Sequence, residues 1–324
     1  MAFRLICLIM VLIASVPGAA GEMPTIKIGL LRFGTVAWEL DTIRHHGLDR
    51  KHGIMAAPVE FATNEAAKVA LQAGAVDMIV TDWPWVARQR GEGGSFSFMP
   101  YSTAVGVLIV PQASRITDVS ELRGKRVGVA GGPLDKSWLL LRAFAKRNKG
   151  LDLAKEAEPV FGAPPLLNEE LARGRIDAVL TYWHYAARLE AAGARPVLTV
   201  ADMIRGLGVK EEIPMLGYAF REGWASEHPE ALKSFIDAAR EAKAVLASSE
   251  EEWKRLAPVI GVGDDATLDA LQSGYRAGIP HRWTGDERRA ATRLYDILRD
   301  IGGEQLVGQA TTVDPGTFWP AVSY

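Results

Sequence analysis

A short apolar strand that runs into a polar-aromatic corner occurs twice in this chain. It appears first as Gly74-Ala75-Val76-Asp77 leading to Trp83 and, one hundred residues later, as Gly174-Arg175-Ile176-Asp177 leading to Trp183. The likeness is too local to be a sequence repeat, but it demands two similar halves, each with a buried strand placed before a helix. The surroundings alternate in the same way. Residues 25–30 interleave polar and apolar side chains at the strand period, residues 38–46 favour helix, and residues 55–60 form a second strand. Residues 64–74 are helix-favouring with Gly74 as C-cap, and a strand follows at 76–80. A second run begins near Val110. It contains a short helix closed by Gly124, a strand at 125–130, a glycine-rich turn at 131–137 and a helix at 138–146. A short helix at 168–174, a strand at 176–180 and a helix opened by 182–185 complete it. Such alternation marks an α/β sheet, and 324 residues at about 150 per domain give two lobes. Residues 215–220 read as a strand returning to the first lobe. Beyond them the chain is mostly helical, opening with Pro229 at a tolerated first-turn position and an apolar stripe through Leu232, Phe235, Ala239 and Leu246.

The N-terminus carries a different signal. Arg4 precedes an apolar run over residues 5–14, followed by Pro17 and the small residues Gly18-Ala19-Ala20-Gly21. That order is the order of a secretory signal peptide over residues 1–21, with an uncleaved anchor as the alternative, although the run is short for a bilayer span. Cleavage after Ala20 or Gly21 removes Cys7, the one cysteine in the chain. Cys7 also lies too far upstream of the small residues for lipoprotein acylation. The exported chain then relies on packing alone, and cysteine-based metal or nucleophile chemistry is excluded for it. No second apolar stretch approaches spanning length, so the mature chain is expected to be soluble. With 37 Lys+Arg against 39 Asp+Glu the formal charge is −2, and no basic stripe interleaves with aromatics, so nucleic acid is not an expected partner. Hydrophobic residues make up 48% of the chain, enough to bury a sizeable core.

Five phrases fall in order at suitable distances: Ile26-Lys27-Ile28-Gly29, Ala73-Gly74-Ala75-Val76-Asp77, residues 122–129 from Leu122 to Val129, Gly174-Arg175-Ile176-Asp177-Ala178, and residues 227–232 from Glu227 to Leu232. Together they resemble the periplasmic solute-binding proteins of nitrate/sulfonate/taurine-type ABC importers, including the thiamine-precursor binders. The resemblance covers nearly all of the mature chain. It implies an α/β, two-lobed periplasmic binding protein of type II-like form, each lobe a mixed sheet flanked by helices, with hinge crossovers. Residues 22–109 and 215–324 would form lobe 1 and residues 110–214 lobe 2, with hinges near 107–111 and 214–218. It further implies a periplasmic location, a small-molecule solute, an inner-membrane ABC permease as partner, a monomer, and no cofactor. The rival reading is a ligand-sensing periplasmic partner of a membrane receptor, without transport.

Ligands of such folds sit at strand carboxyl ends and helix N-termini. Four corners qualify. In the first, Arg32, Phe33, Gly34, Thr35 and Trp38 follow the first strand, Gly34 permitting close backbone approach and Thr35 offering a hydroxyl; an ordinary turn over a core Trp38 is the alternative. In the second, Asp82 and Trp83 are candidate contacts and Trp85 has a packing alternative. The third holds Asp135, Ser137 and Trp138 after a glycine-rich turn that lacks a phosphate-loop or dinucleotide pattern. There the resemblance suggests binding by the Ser hydroxyl and backbone N–H groups, while Asp135 could simply be an N-cap. The fourth holds Tyr182 and Trp183, with His184 read first as a satisfied buried histidine.

Trp38, Trp83, Trp85, Trp138 and Trp183, five of nine tryptophans, fall in these corners. A bare inorganic anion needs donors, not indoles, so the pattern suits an aromatic, heterocyclic or sulfonate-like solute, or a cation able to sit on rings. Arg32 and Lys136 would match an acid on it, Asp82 and Asp135 an amine, and the sequence does not choose. Adjacent His45 and His46 are expected on different helix faces and no zinc motif accompanies them, so no metal ligand is assigned. No Gly-x-Ser-x-Gly elbow is present. The thiamine-pyrimidine synthases that share this fold carry a cysteine-rich motif without a counterpart here, so an enzyme is not expected and no catalytic residue is assigned.

Overall fold

The computed structural model describes residues 23–322, so the secretory-signal reading of residues 1–21 lies outside the described residues. The chain opens with β1 (Thr25–Leu31), α1 (Val36–His45), α2 (Leu48–Lys51), β2 (Met55–Phe61), α3 (Asn64–Gln72), β3 (Met78–Asp82), α4 (Trp83–Gly91) and β4 (Phe96–Ser102). It continues with β5 (Gly106–Val110), β6 (Arg126–Ala130), α5 (Lys136–Lys149), α6 (Leu153–Glu156) and β7 (Glu158–Gly162). Next come α7 (Pro164–Ala172), β8 (Ala178–Tyr182), α8 (Trp183–Ala191), β9 (Arg195–Thr199) and α9 (Val200–Gly206). After β10 (Leu216–Arg221) the chain is helical: α10 (Glu222–Glu227), α11 (Pro229–Ser248), α12 (Glu250–Ile260), α13 (Asp265–Ala277) and α14 (Gly285–Val307).

Two five-stranded sheets result, ordered β2-β1-β3-β10-β4 and β7-β6-β8-β5-β9. In the first, β10 runs antiparallel to β3 and β4; in the second, β5 runs antiparallel to β8 and β9. The antiparallel strand of each sheet is therefore the one that the chain lays down just after crossing from the other lobe. This is the two-lobed α/β fold with mixed sheets and crossovers. The strand period on β1 is plain: Ile26, Ile28 and Leu30 are buried while Thr25 and Lys27 face solvent.

The twice-used phrase has one structural job in both lobes. Asp77 Oδ2 accepts the Lys27 backbone N–H at 2.7 Å, and Asp177 Oδ2 accepts that of Arg126 at 2.8 Å. Each aspartate thus ties the start of its own strand to the neighbouring parallel strand. Gly74 (φ 74°) and Gly174 (φ 66°) supply the left-handed turn just before it. Because the aspartate belongs to this turn, β3 and β8 begin two residues later than the apolar pattern suggests, at Met78 and Ala178.

The crossings also differ from expectation. The chain leaves the first sheet through residues 103–105 and returns through 207–215, so 107–110 and 216–218 lie inside strands. Val107 to Val110 pair with β8 and β9, which makes them sheet rather than hinge. At the outward crossing the Thr103 N–H and the Ser102 hydroxyl both donate to the Gly278 carbonyl, so the end of α13 is fastened to it. Helix α13 also packs along α8 of the second lobe. There a Cβ on Gly274 would stand 2.6 Å from the Trp183 ring, so glycine is required at that approach. Among the described residues no helix is long and apolar enough to cross a membrane.

Candidate functional site

The ends of β1, β3 and β8 and the starts of α1, α4, α5 and α8 face a cavity between the lobes that encloses about 720 Å³ including its open mouth. Phe33, Gly34, Thr35 and Tyr101 line it from the first lobe, and Lys136, Tyr182, Trp183 and His184 from the second. A wider outer cavity, about 1620 Å³ with the open space at its mouth, shares Leu31, Phe33, Asn64, Asp82, Lys136 and Tyr182 with it and adds Glu65, Lys68, Trp85, Arg88 and the 131–135 turn.

Local chemistry places each group. Asp82 caps α4 by accepting the Trp85 N–H at 3.0 Å, and Asp135 caps α5 by accepting the Ser137 N–H at 2.8 Å. Lys136, the first residue of α5, is buried, and its Nζ lies 3.8 Å from Asp82 Oδ2 and 4.0 Å from Asp135 Oδ2. Burial pulls its pKa down, but Asp135 and Asp82 outweigh burial and hold it above the ordinary lysine value. Burial also raises the Tyr182 hydroxyl, and the negative charges of Asp135, Glu65 and Asp82 add to that rise.

His184 Nε2 lies 3.1 Å from the Phe33 carbonyl oxygen of the other lobe, which can only accept, so Nε2 carries the proton. Burial lowers the ring's pKa to about 3, and it is neutral at any ordinary pH. Its Nδ1 has no partner among the described residues. It is thus half-satisfied rather than satisfied.

Beneath Thr35 lies a network that the sequence analysis missed. Thr35 Oγ1 and the Tyr101 hydroxyl are 3.1 Å apart, and Lys243 sits 4.1 Å above the Tyr101 ring. Lys243 pairs with the fully buried Glu39, which also accepts the Tyr218 and Tyr275 hydroxyls, each at 2.8 Å. Burial drags Lys243 below the usual lysine range even though Glu39 opposes the fall. The available signal was a glutamate in helical register with Val36 and Ile43, on the apolar face of α1.

Of the sequence-predicted residues, Phe33, Gly34, Thr35, Asp82, Asp135, Tyr182 and Trp183 line one cavity or the other. Arg32, Trp38, Trp83, Ser137 and Trp138 lie outside both. Arg32 points to solvent and pairs with Glu60 at 3.3 Å. Trp38 is buried edge-on against Trp183 and Trp253, and Trp138 packs on Phe161. Trp83, fully buried, packs on Tyr295 and Phe318, because the first residue of α4 turns inward against α14. Trp85, two residues on, turns the other way and lines the outer cavity under the Lys68 ammonium. Ser137 is buried beside the cleft, its Oγ without a partner among the described residues.

His45 and His46 do not diverge as the helical spacing suggested. Helix α1 stops at His45, His46 is its C-cap, and their rings approach to 5.0 Å beside Glu252. Glu252 itself is buried, and Thr42, His46 and Arg255 already engage both of its oxygens.

A search of curated proteins finds no match to the chain. In solved structures the fold is similar to the alkanesulfonate-binding protein SsuA from Xanthomonas axonopodis pv. citri bound to MOPS, at 18% identity and TM-score 0.72 over 93% of this chain and 99% of that one. It is similar to the periplasmic aliphatic sulphonate binding protein SsuA from Escherichia coli, at 18% identity and TM-score 0.71 over 92% and 98%. The periplasmic nitrate-binding protein NrtA from Synechocystis PCC 6803 is similar at 14% identity and TM-score 0.60 over 94% and 78%. The profile described as NMT1/THI5 like matches residues 44–252, more than half of the sequence, and the chain belongs to that family.

Proposed function

We infer that the chain is the exported solute-binding component of an ABC importer, holding a small organic solute between its lobes and passing it unchanged to an inner-membrane permease. The observation that carries this reading is the inner cavity, to which both lobes contribute and into which Phe33, Tyr182 and Trp183 bring flat apolar surface. The division into a lobe of residues 22–109 with 215–324 and a lobe of 110–214 belongs to the same proposal, with the start of β5 moved into the second lobe because it pairs there. Residues 103–105 and 207–215 then serve as the hinge segments. Solute meets one lobe of an open form, and closure brings His184 onto Phe33 and Lys136 onto Asp82. The protein acts as a periplasmic monomer in this account.

The test is a thermal-shift screen of the chain lacking residues 1–21 against aromatic acids, sulfonates, heterocycles and amines. A ligand at about 100 times its Kd adds roughly 2.7 kcal/mol to a folded state that alone binds it. A stabilising hit supports capture; folded protein that responds to no class contradicts it.

A further inference from the structure

Adjacent residues of a helix point about 100° apart, which is why the sequence assigned no metal to His45 and His46. The structure removes that objection. Helix α1 ends at His45, and His46 has left it with φ −83° and ψ 0°, so the two rings meet edge to face with 5.0 Å between their centres. Glu252, in the first turn of α12, stands beside them, and one ligand atom from each of the three lies within 4.8 Å of the other two. None of the three lines a cavity between the lobes.

The surroundings hold Glu252 in place as a ligand. Ser249 Oγ accepts its backbone N–H at 3.1 Å. Thr42 Oγ1 and Arg255 Nη2 both donate to Oε1 at 2.7 Å, while Arg255 Nε donates to Oε2 at 3.0 Å. Each carboxylate oxygen offers two lone pairs, so Oε1 is full and Oε2 keeps one, which meets His46 Nε2 at 3.0 Å. An ion entering here replaces that single hydrogen bond, and the His46 proton shifts to Nδ1. The bonds from Thr42 and Arg255 then become the outer shell that orients a ligating carboxylate. The charge of Arg255 is itself met by Asp41 at 2.6 Å. Zinc bonded to imidazole nitrogen and carboxylate oxygen at about 2.0–2.2 Å holds tetrahedral neighbours roughly 3.3 Å apart. His46 and Glu252 nearly have that spacing, and the exposed His45 ring reaches it by rotating. Two nitrogens and one oxygen, with water in the fourth place, form a donor set that suits zinc.

We propose that His45, His46 and Glu252 bind one zinc ion on the first lobe, apart from the cleft, and that the ion clips the end of α1 to the start of α12. The two helices matter to the rest of the molecule. Helix α1 starts from Thr35 at the inner cavity, and α12 ends at Ile260, whose carbonyl oxygen accepts Arg188 Nη2 of the second lobe at 2.8 Å. The ion therefore stiffens the part of the first lobe on which α8 rests.

The experiment is calorimetric titration of zinc chloride into the chelator-dialysed chain lacking residues 1–21, from which the thiol of Cys7 is also gone. His45→Gln and His46→Gln remove one ligand each at exposed positions, and His228→Gln, at the exposed N-cap of α11, is the control. The expected result is one zinc per chain, weakened tenfold or more in each of the first two variants and unchanged in the control. Zinc should also raise the melting temperature of the wild type and leave that of the two variants where it was. No zinc bound, several weak ions per chain whose affinity ignores the substitutions, or a loss in only one of the two ligand variants overturns the proposal.

Discussion

Lys136 Nζ in the second lobe lies 3.8 Å from Asp82 Oδ2 in the first, and this pair spans the cleft beside the ring-lined cavity. The lysine separates Asp82 from Asp135, so its charge is what lets two carboxylates of different lobes face one another. Replacing Lys136 by Met leaves them unscreened at the mouth of the cavity. The expected outcome is a loss of about 1–3 kcal/mol in urea unfolding, the usual consequence of stranding a partly buried polar partner. A larger radius of gyration in X-ray scattering should accompany it as the lobes part. Wild-type stability together with wild-type scattering would show that the pair does not hold the lobes.

The Glu39–Lys243 pair should behave as a buried ion pair broken from one side. Glu39→Gln strands Lys243, and a loss of about 3–5 kcal/mol is expected. Glu39→Gln combined with Lys243→Met should recover part of that loss, because the double variant buries no uncompensated charge. A double-mutant cycle in guanidinium measures the coupling; additive losses would place the two groups in independent environments.

Acid should weaken the fold in two windows. His184 has a folded pKa of about 3 against an ordinary 6.5, so below pH 6.5 the unfolded chain takes up a proton that the folded chain refuses. Stability then falls with pH, by at most about 1.4 kcal/mol per unit for one proton. Burial would raise Glu252, but hydrogen bonds from Arg255, Thr42 and His46 outweigh it and lower its pKa to about 2. Its contribution is present above the ordinary 4.5 and is lost as pH falls through 4.5 towards 2. Unfolding free energies measured at intervals from pH 7 to 3 should flatten in the upper window for His184→Gln and in the lower one for Glu252→Gln. An unchanged slope in either variant contradicts that assignment.

Two tryptophans that occupy matching places in the repeated phrase should part company on substitution. Trp83 is fully buried against Tyr295 and Phe318, so Trp83→Ala should cost about 3–5 kcal/mol of stability. Trp183 borders the inner cavity, and Trp183→Ala should reduce solute affinity at least tenfold with a smaller effect on unfolding. Denaturant curves and titrations of the two variants side by side separate the roles; equal stability losses with equal affinities would erase the distinction.

The contrast shows where sequence reading stops. Alternation along β1, the helical stripe of α11 and the Gly-x-x-Asp phrases are local, and each fixes an element by itself. Which way an indole at a helix start faces is not local: Trp83 turns inward because α14 and Phe318 arrive from more than two hundred residues later. Trp85 reaches the cavity for the complementary reason. Glu39 is equally illegible, since its partners Tyr218, Lys243 and Tyr275 come from three separate elements. The carboxylates at 82 and 135 were legible as caps or as ligand groups, and they act as caps whose second oxygens still face Lys136.

The central claim is that a small solute is held between the lobes, and calorimetric titration of the strongest compound from the thermal-shift screen into the wild type and Trp183→Ala tests it most directly. The account predicts one molecule bound per chain by the wild type and a loss of affinity of tenfold or more in the variant. Equal affinity in both proteins would place the solute elsewhere and contradict the account.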